Sequence, residues 1–287
     1  MSVRIRALVA GAVVLAIVVG IGLYLSLGPL RHQLPIPTVV RGCTVQADGK
    51  VYLTAEQMAH AATIAAIGVR RKMPERAVVV ALATAFQESK LENLTGGDRD
   101  SVGLFQQRPS QGWGTPEQIR DPRYAANRFY AALKKVRGWE QMRVTDAAQA
   151  VQRSAYPEAY EKWADESEVL TRALLGNATS AVACTVGQQP AMRGNAAATA
   201  LTDGLKLDWG RLEFTSPADL TGLAVQAADP RTGWRYAHWL VSHASDHGVK
   251  RVRFGDQEWT AKNGEWTRVT GEVTIPGVVI AEVFAEV

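Results

Sequence analysis

Glu88 and Ser89 close an apolar run, and after a short loop the chain reads Gly97-Asp98-Arg99-Asp100-Ser101-Val102-Gly103-Leu104-Phe105-Gln106-Gln107. One carboxyl group is thus followed by a segment rich in glycine, amides and hydroxyls. Such a set can give a proton to a leaving oxygen while it holds an uncharged, polyhydroxylated ligand. Ser101, Gln106 and Gln107 offer donors and acceptors without charge, which suits the hydroxyl and acetamido groups of sugars. Gly97 and Gly103 allow backbone shapes that other residues resist, and Gly103 lets main chain approach a bulky ligand. Asp98 and Asp100 could orient a water, although such residues ordinarily shape turns. A carboxylate at a helix end is by itself most simply a solvated group. The loop that follows makes Glu88 a candidate acid.

The elements that must position these groups are helical. Pro74 suits a first helical position, Glu75 suits the positive end of the dipole, and Val78, Val79, Leu82, Ala85 and Phe86 recur at helical spacing. Glu88 then sits at the C-terminal end of a buried helix, where lost hydration and the negative dipole end suit a proton-carrying group. Thr54-Ala55-Glu56-Gln57 reads as a capping box that starts an earlier helix. Thr115-Pro116 and Asp121-Pro122 start two more, Thr145 opens a short one, and Pro157 opens a longer one carrying Tyr160, Trp163, Leu170 and Leu174.

Glu88-Ser89 at a helix end, followed by Ser101-Val102-Gly103-Leu104-Phe105-Gln106, resembles the lytic transglycosylase and goose-type lysozyme superfamily, with a spacing one residue shorter than its Ser-x-x-Gly-Leu-x-Gln pattern. The segments Ala81 to Ser89, Gly97 to Ser101, Gln106 to Thr115 and Ala150 to Pro157 are similar to lysozyme-like wall proteins of actinobacteria. The resemblance covers roughly residues 43 to 184. It implies a helical lysozyme-like fold, a peptidoglycan glycan substrate, Glu88 as the catalytic acid and base, and Ser89, Ser101, Gly103, Gln106 and Gln107 around the sugar. The Ala-Tyr-Asn segment usual in such enzymes is replaced by Ala150-Val151-Gln152-Arg153-Ser154-Ala155-Tyr156, so Gln152 or Tyr156 stands in for the late wall of the site.

The chain has 287 residues, 47% of them hydrophobic, enough for one large or two ordinary cores. Its 32 basic and 28 acidic residues leave a net charge of +4, too mild to argue for nucleic acid, and no zinc-finger or RNA-binding signature accompanies it. Residues 7 to 30 carry no charged side chain, and about twenty such residues span a bilayer. Arginines flank both ends of this run, so charge alone does not orient it. Cys43 and Cys184 bracket the lysozyme-like region, which suggests a disulfide across its ends and therefore an oxidising, extracytoplasmic setting.

From Asn177 to about Thr199 the composition shifts to small and polar residues, the mark of a linker. Beyond it, Trp234 to His247 has helical periodicity, Asn263-Gly264 between Trp259 and Trp266 is a hairpin signal, and Val278 to Val287 reads as a buried strand. Gly233 to Val241 and the later Trp259 hairpin resemble a domain found beside actinobacterial wall hydrolases and related to zinc-dependent carboxypeptidases. The His-rich segments expected of such an enzyme are absent. His243 and His247 are four residues apart, but two ligands do not close a metal site.

The expected architecture is an N-terminal transmembrane helix over 7–30 behind a cytoplasmic tail of residues 1–6, a linker over 31–53, an all-α lysozyme-like domain over 54–184, a linker over 185–199, and a small α+β C-terminal domain over 200–287. The expected activity is cleavage of the bond between N-acetylmuramic acid and N-acetylglucosamine in peptidoglycan by a single-pass membrane protein, without metal or cofactor and without nucleic acid. The alternative is a non-catalytic wall-binding or scaffold protein that keeps the groove. A transporter is excluded because a single apolar span offers no polar path.

Overall fold

The computed structural model describes residues 42–187, 190–215, 220–270 and 275–286. The chain opens with a hairpin, β1 (Gly42–Gln46) and β2 (Lys50–Thr54), around Asp48 at φ 59. Cys43 and Val45 on one strand and Val51 and Leu53 on the other turn inward. Strand β3 (Val182–Cys184) returns to pair antiparallel with β1, giving a sheet in the order β2-β1-β3. Cys43 and Cys184 face each other in that register, with Cα atoms 4.0 Å apart and their sulfurs bonded.

Between these strands run α1 (Ala55–Arg70), α2 (Glu75–Ser89), α3 (Pro116–Ile119), α4 (Pro122–Leu133), α5 (Val144–Gln152) and α6 (Ala164–Leu174). Their starts carry the expected signals. Thr54 Oγ1 accepts from the Gln57 amide at 3.2 Å while Gln57 Oε1 accepts from Thr54 N at 2.9 Å, so two orphan donors are satisfied reciprocally. Thr115 and Gln118 repeat the device, and Asp121 caps α4 through Arg123 N at 2.9 Å.

Beyond β3 come α7 (Gly194–Trp209), β4 (Phe214–Thr215), β5 (Gly222–Gln226), α8 (Pro230–Ser242), α9 (Ala244–His247), β6 (Val249–Phe254), β7 (Gln257–Thr260), β8 (Trp266–Arg268) and β9 (Val278–Val283). The strands form one antiparallel sheet ordered β4-β5-β9-β6-β7-β8. The closing strand β9 therefore lies inside the sheet, and Trp259 pairs with Trp266 across the Asn263-Gly264 turn.

The expected fold class needs correction. The domain expected to be all-α over 54–184 ends in a strand, β3, which completes a sheet with the β1–β2 hairpin that occupies the expected linker over 31–53, and the described residues form a mixed α/β molecule with nine α-helices and two sheets. No helix of the described residues is long and apolar enough to cross a membrane, and the span expected over 7–30 lies outside them. The segment 185–199 does not stay irregular, since α7 begins at Gly194.

The helical part and the larger sheet share a core. Helix α1 is apolar nearly all round, with Met58, Ala61, Ala62, Ile64, Ala65, Ala66 and Ile67 buried, and such a helix must be covered on every side. Helices α2 and α4 cover it from one region, and α7 and α8 from the other. Asp208, fully buried on α7, is the polar knot of this contact. It accepts from Thr63 Oγ1 of α1 at 2.9 Å, Arg123 Nε of α4 at 2.5 Å and Trp239 Nε1 of α8 at 2.7 Å. A buried carboxylate is tolerated only with this degree of satisfaction.

Candidate active site

Helix α2 ends abruptly. Lys90 and Leu91 are both left-handed, at φ 57 and 61, and their amides donate to Phe86 O at 3.0 Å and Ala85 O at 3.2 Å. Leu91 is buried, so the chain turns straight back under the helix and leaves Glu88 half-buried at its end. Glu88 Oε1 accepts a hydrogen bond from the hydroxyl of Tyr160 at 2.6 Å. Burial, and then the charge of Glu88, push the Tyr160 phenol well above its ordinary range, so it stays a donor.

The loop after the helix is tied to it by groups that the sequence suggested for sugar contact. Ser89 is buried, and its hydroxyl donates to Leu104 O at 2.8 Å and lies 3.1 Å from Ala85 O. Gln107 is buried too, with Nε2 donating to Ala125 O at 3.2 Å, while its backbone exchanges two 3.1 Å bonds with Val102. Ser101 is buried and its amide donates to Asp98 O at 3.1 Å. These three residues position the loop. Gly103, at φ 77, has a missing Cβ whose place lies 2.7 Å from Ile119 O, so close backbone packing requires glycine here.

Gln106 and Gln152 present half-buried amides at this end of the helix, as does Gln87 on its last turn. Gln106, itself left-handed at φ 45, donates from Nε2 to Gly103 O at 3.1 Å, and its Oε1 occupies the space that a Gly97 side chain would fill. Gln152, the last residue of α5, donates from Nε2 to Phe105 O at 2.7 Å. The loop carbonyls of Leu104 and Phe105 thus link Ser89 on one side with Gln152 on the other. Tyr156 does not join them: its side chain is 73% exposed.

The two candidate helpers differ. Asp100 is held by Arg108 Nε at 2.8 Å, by the Ser110 amide at 2.7 Å and by Ser110 Oγ at 3.0 Å, and the Arg108 bond first, then Ser110, keep its carboxyl far below the usual range. Its role is to shape the turn. Asp98 is almost fully exposed, and among the described residues its side chain meets only Arg99, at 4.0 Å.

The sequence predicts Tyr160 on the apolar face of a helix starting at Pro157. The helix starts later, with a 3-10 turn over Glu161–Trp163 and α6 from Ala164, and the intervening turn delivers the phenol to Glu88. The one available signal is that a buried tyrosine hydroxyl needs a partner. Trp163 flanks the same helix end, stacked on Phe86 with centroids 5.1 Å apart, its Nε1 donating to Gln87 Oε1 at 3.1 Å and Lys90 Nζ 4.1 Å from its ring centre.

A cleft of about 610 Å³ reaches Gln152 from the side of α4 and α5. A larger one, about 840 Å³, lies around Glu75 and Arg76 at the opposite end of α2 and holds no part of this site. Among the described residues no group of three or more His, Cys, Asp or Glu side chains is placed to hold a metal ion. His243 and His247 have ring centres 5.9 Å apart, and His243 lies within hydrogen-bonding reach of Trp239 O and Thr63 Oγ1. Comparison with protein-family models and with curated proteins returned no match.

Proposed function

We propose that the protein is an extracytoplasmic peptidoglycan glycosidase that cleaves the bond between N-acetylmuramic acid and N-acetylglucosamine, with Glu88 as general acid and then base. The observation that carries this reading is the Tyr160 hydroxyl on Glu88 Oε1 at 2.6 Å, with the half-buried amides of Gln106 and Gln152 at the same end of the helix. The phenol orients the carboxyl, Gln106 and Gln152 suit sugar hydroxyls and acetamido groups, and the resemblance of Glu88-Ser89 and Ser101 to Gln106 to the transglycosylases supports the same substrate. The Cys43–Cys184 disulfide supports a location where peptidoglycan is the available polymer.

Between the two product classes, the lytic transglycosylase route is the better supported. A hydrolase needs a second group to orient water, commonly a carboxylate. Asp100 is engaged by Arg108 and Ser110, and Asp98 is in open solvent. The muramic 6-hydroxyl of the substrate itself would then close the anhydro ring, with Glu88 as base. The test is digestion of purified wall by the parent protein and by Glu88→Gln, with mass spectrometry of the products. Anhydro ends from the parent and none from Glu88→Gln are expected. Reducing ends would replace the route by hydrolysis, and a parent that binds glycan but cleaves nothing would replace the enzyme by a wall-binding protein.

A further inference from the structure

The cleft between α4 and α5 gathers cations without an acid. Arg128, Lys135 and Arg153 line it together with Trp113, Gln152 and Val151, and its lining includes no Asp or Glu. Arg128 donates to the neutral carbonyl of Gly112 at 2.8 Å, so its charge is not compensated there. Lys135 and Arg153 make no ion pair or side-chain hydrogen bond among the described residues. The contrast with nearby arginines is direct: Arg108 meets Asp100, Arg123 meets Asp208, and Arg143 meets both Asp146 and Glu158. Three uncompensated cations over a partly apolar floor focus a positive potential, and that potential is relieved by an oxyanion.

The position of the cleft gives this charge a use. Gln152 lines it and at the same time holds the carbonyl of Phe105, the residue after the Leu104 carbonyl that anchors Ser89. The cleft therefore adjoins the loop beside Glu88. Trp113 adds an indole, whose face suits the apolar face of a sugar.

The geometry points to an anionic subsite in this cleft, one that takes a carboxylate- or phosphate-bearing branch of the glycan chain while the sugar backbone lies at Glu88. It rests on the proposed glycosidase reading for the sugar chain, whereas the charge of the cleft is independent of it. The subsite would make the protein select glycan by what the strand carries.

The test is fluorescence anisotropy in about 50 mM salt, where screening is weak, with the full chain carrying Glu88→Gln so that the probes stay intact. Three labelled probes are compared: glycan strands bearing their peptide carboxylates, the same strands stripped of peptides, and a glycerol-phosphate polymer. With Lys135→Glu and Arg153→Glu together, Kd for at least one anionic probe is expected to rise about tenfold or more. Kd for the stripped strand should stay within about twofold, and Lys135→Arg with Arg153→Lys should restore the parent value. Which anionic probe responds identifies the source of the oxyanion. Equal weakening on the stripped strand, no effect on either anionic probe, or failure of both to bind would overturn the subsite. Cleavage of stripped strands by the protein with Glu88 intact, set against Glu88→Gln, reports separately on the glycosidase reading.

Discussion

The hydroxyl of Tyr160 donates to Oε1 of Glu88 at 2.6 Å, joining the turn before α6 to the end of α2 across 72 residues of sequence. The phenol stays protonated, so it acts on the carboxyl by direction: it holds Oε1 and so sets the rotation of the carboxyl group. Tyr160→Phe keeps the ring and removes only the hydroxyl. We expect kcat on soluble glycan strands to fall about 10- to 100-fold with KM within about twofold, the signature of a lost positioning contact. A variant with kcat equal to the parent would remove Tyr160 from the mechanism.

Acid should destabilise the fold through buried histidine. The Ala181 amide donates to His238 Nε2 at 3.0 Å, so Nδ1 carries the proton and donates to Ala173 O at 2.8 Å. Burial lowers the pKa of His238 from 6.5 to about 4, and burial followed by the His247 charge moves His243 in the same direction. Because the folded-state value is depressed, the unfolded chain takes up the proton first as pH falls. The stability of the neutral ring is complete above about pH 6.5 and is lost between there and about 4, on the order of 3 kcal/mol for His238 alone. Urea midpoints at pH 7.5 and 4.5 should show the drop; a midpoint that rises on acidification would contradict a neutral buried ring.

Helix starts were legible where a side chain closes on its own backbone, as at Thr54 with Gln57 and at Asp121, because the signal and its partner lie three residues apart or fewer. The Asn263-Gly264 hairpin was legible for the same local reason. The meeting of Tyr160 with Glu88 was not, since it depends on Arg153 stopping α5 in a left-handed conformation and on α6 starting only at Ala164. The β1–β2 hairpin had a usable cue in Asp48-Gly49 between the alternating apolar pairs Cys43/Val45 and Val51/Leu53, hidden beside a proline-containing stretch. The shared core had a cue as well: α1 is too apolar on its outer face for a domain that ends at Cys184.

The disulfide is expected to carry much of the margin of stability. Cys43 and Cys184 are 141 residues apart, and closing a loop of that length contributes about 5 kcal/mol in the chain-entropy model. It also pins β3 to β1, and so both ends of the helical region. Replacing both cysteines by serine should lower stability by about 3 to 5 kcal/mol and the melting temperature by roughly 10 °C. Thiol titration of the unreduced, denatured protein should find no free sulfhydryl; two free thiols would remove the bond and the support it gives to an oxidising compartment.

Gly97 supplies the most specific test of Gln106. The Gln106 amide is folded back over Gly97, with Nε2 on Gly103 O and Oε1 in the volume a Gly97 side chain would need. Gly97→Ala therefore displaces a flexible side-chain end and leaves the backbone in place, so the melting temperature should barely move. If Gln106 holds sugar, KM for glycan should rise about five- to tenfold with kcat little changed, as lost uniform binding requires. Gln106→Ala should do the same, and the double substitution should cost no more than either one, because both remove a single contact. Additive effects on KM would mean that Gly97 acts through the backbone, and an unchanged KM in Gly97→Ala would take Gln106 out of the sugar site.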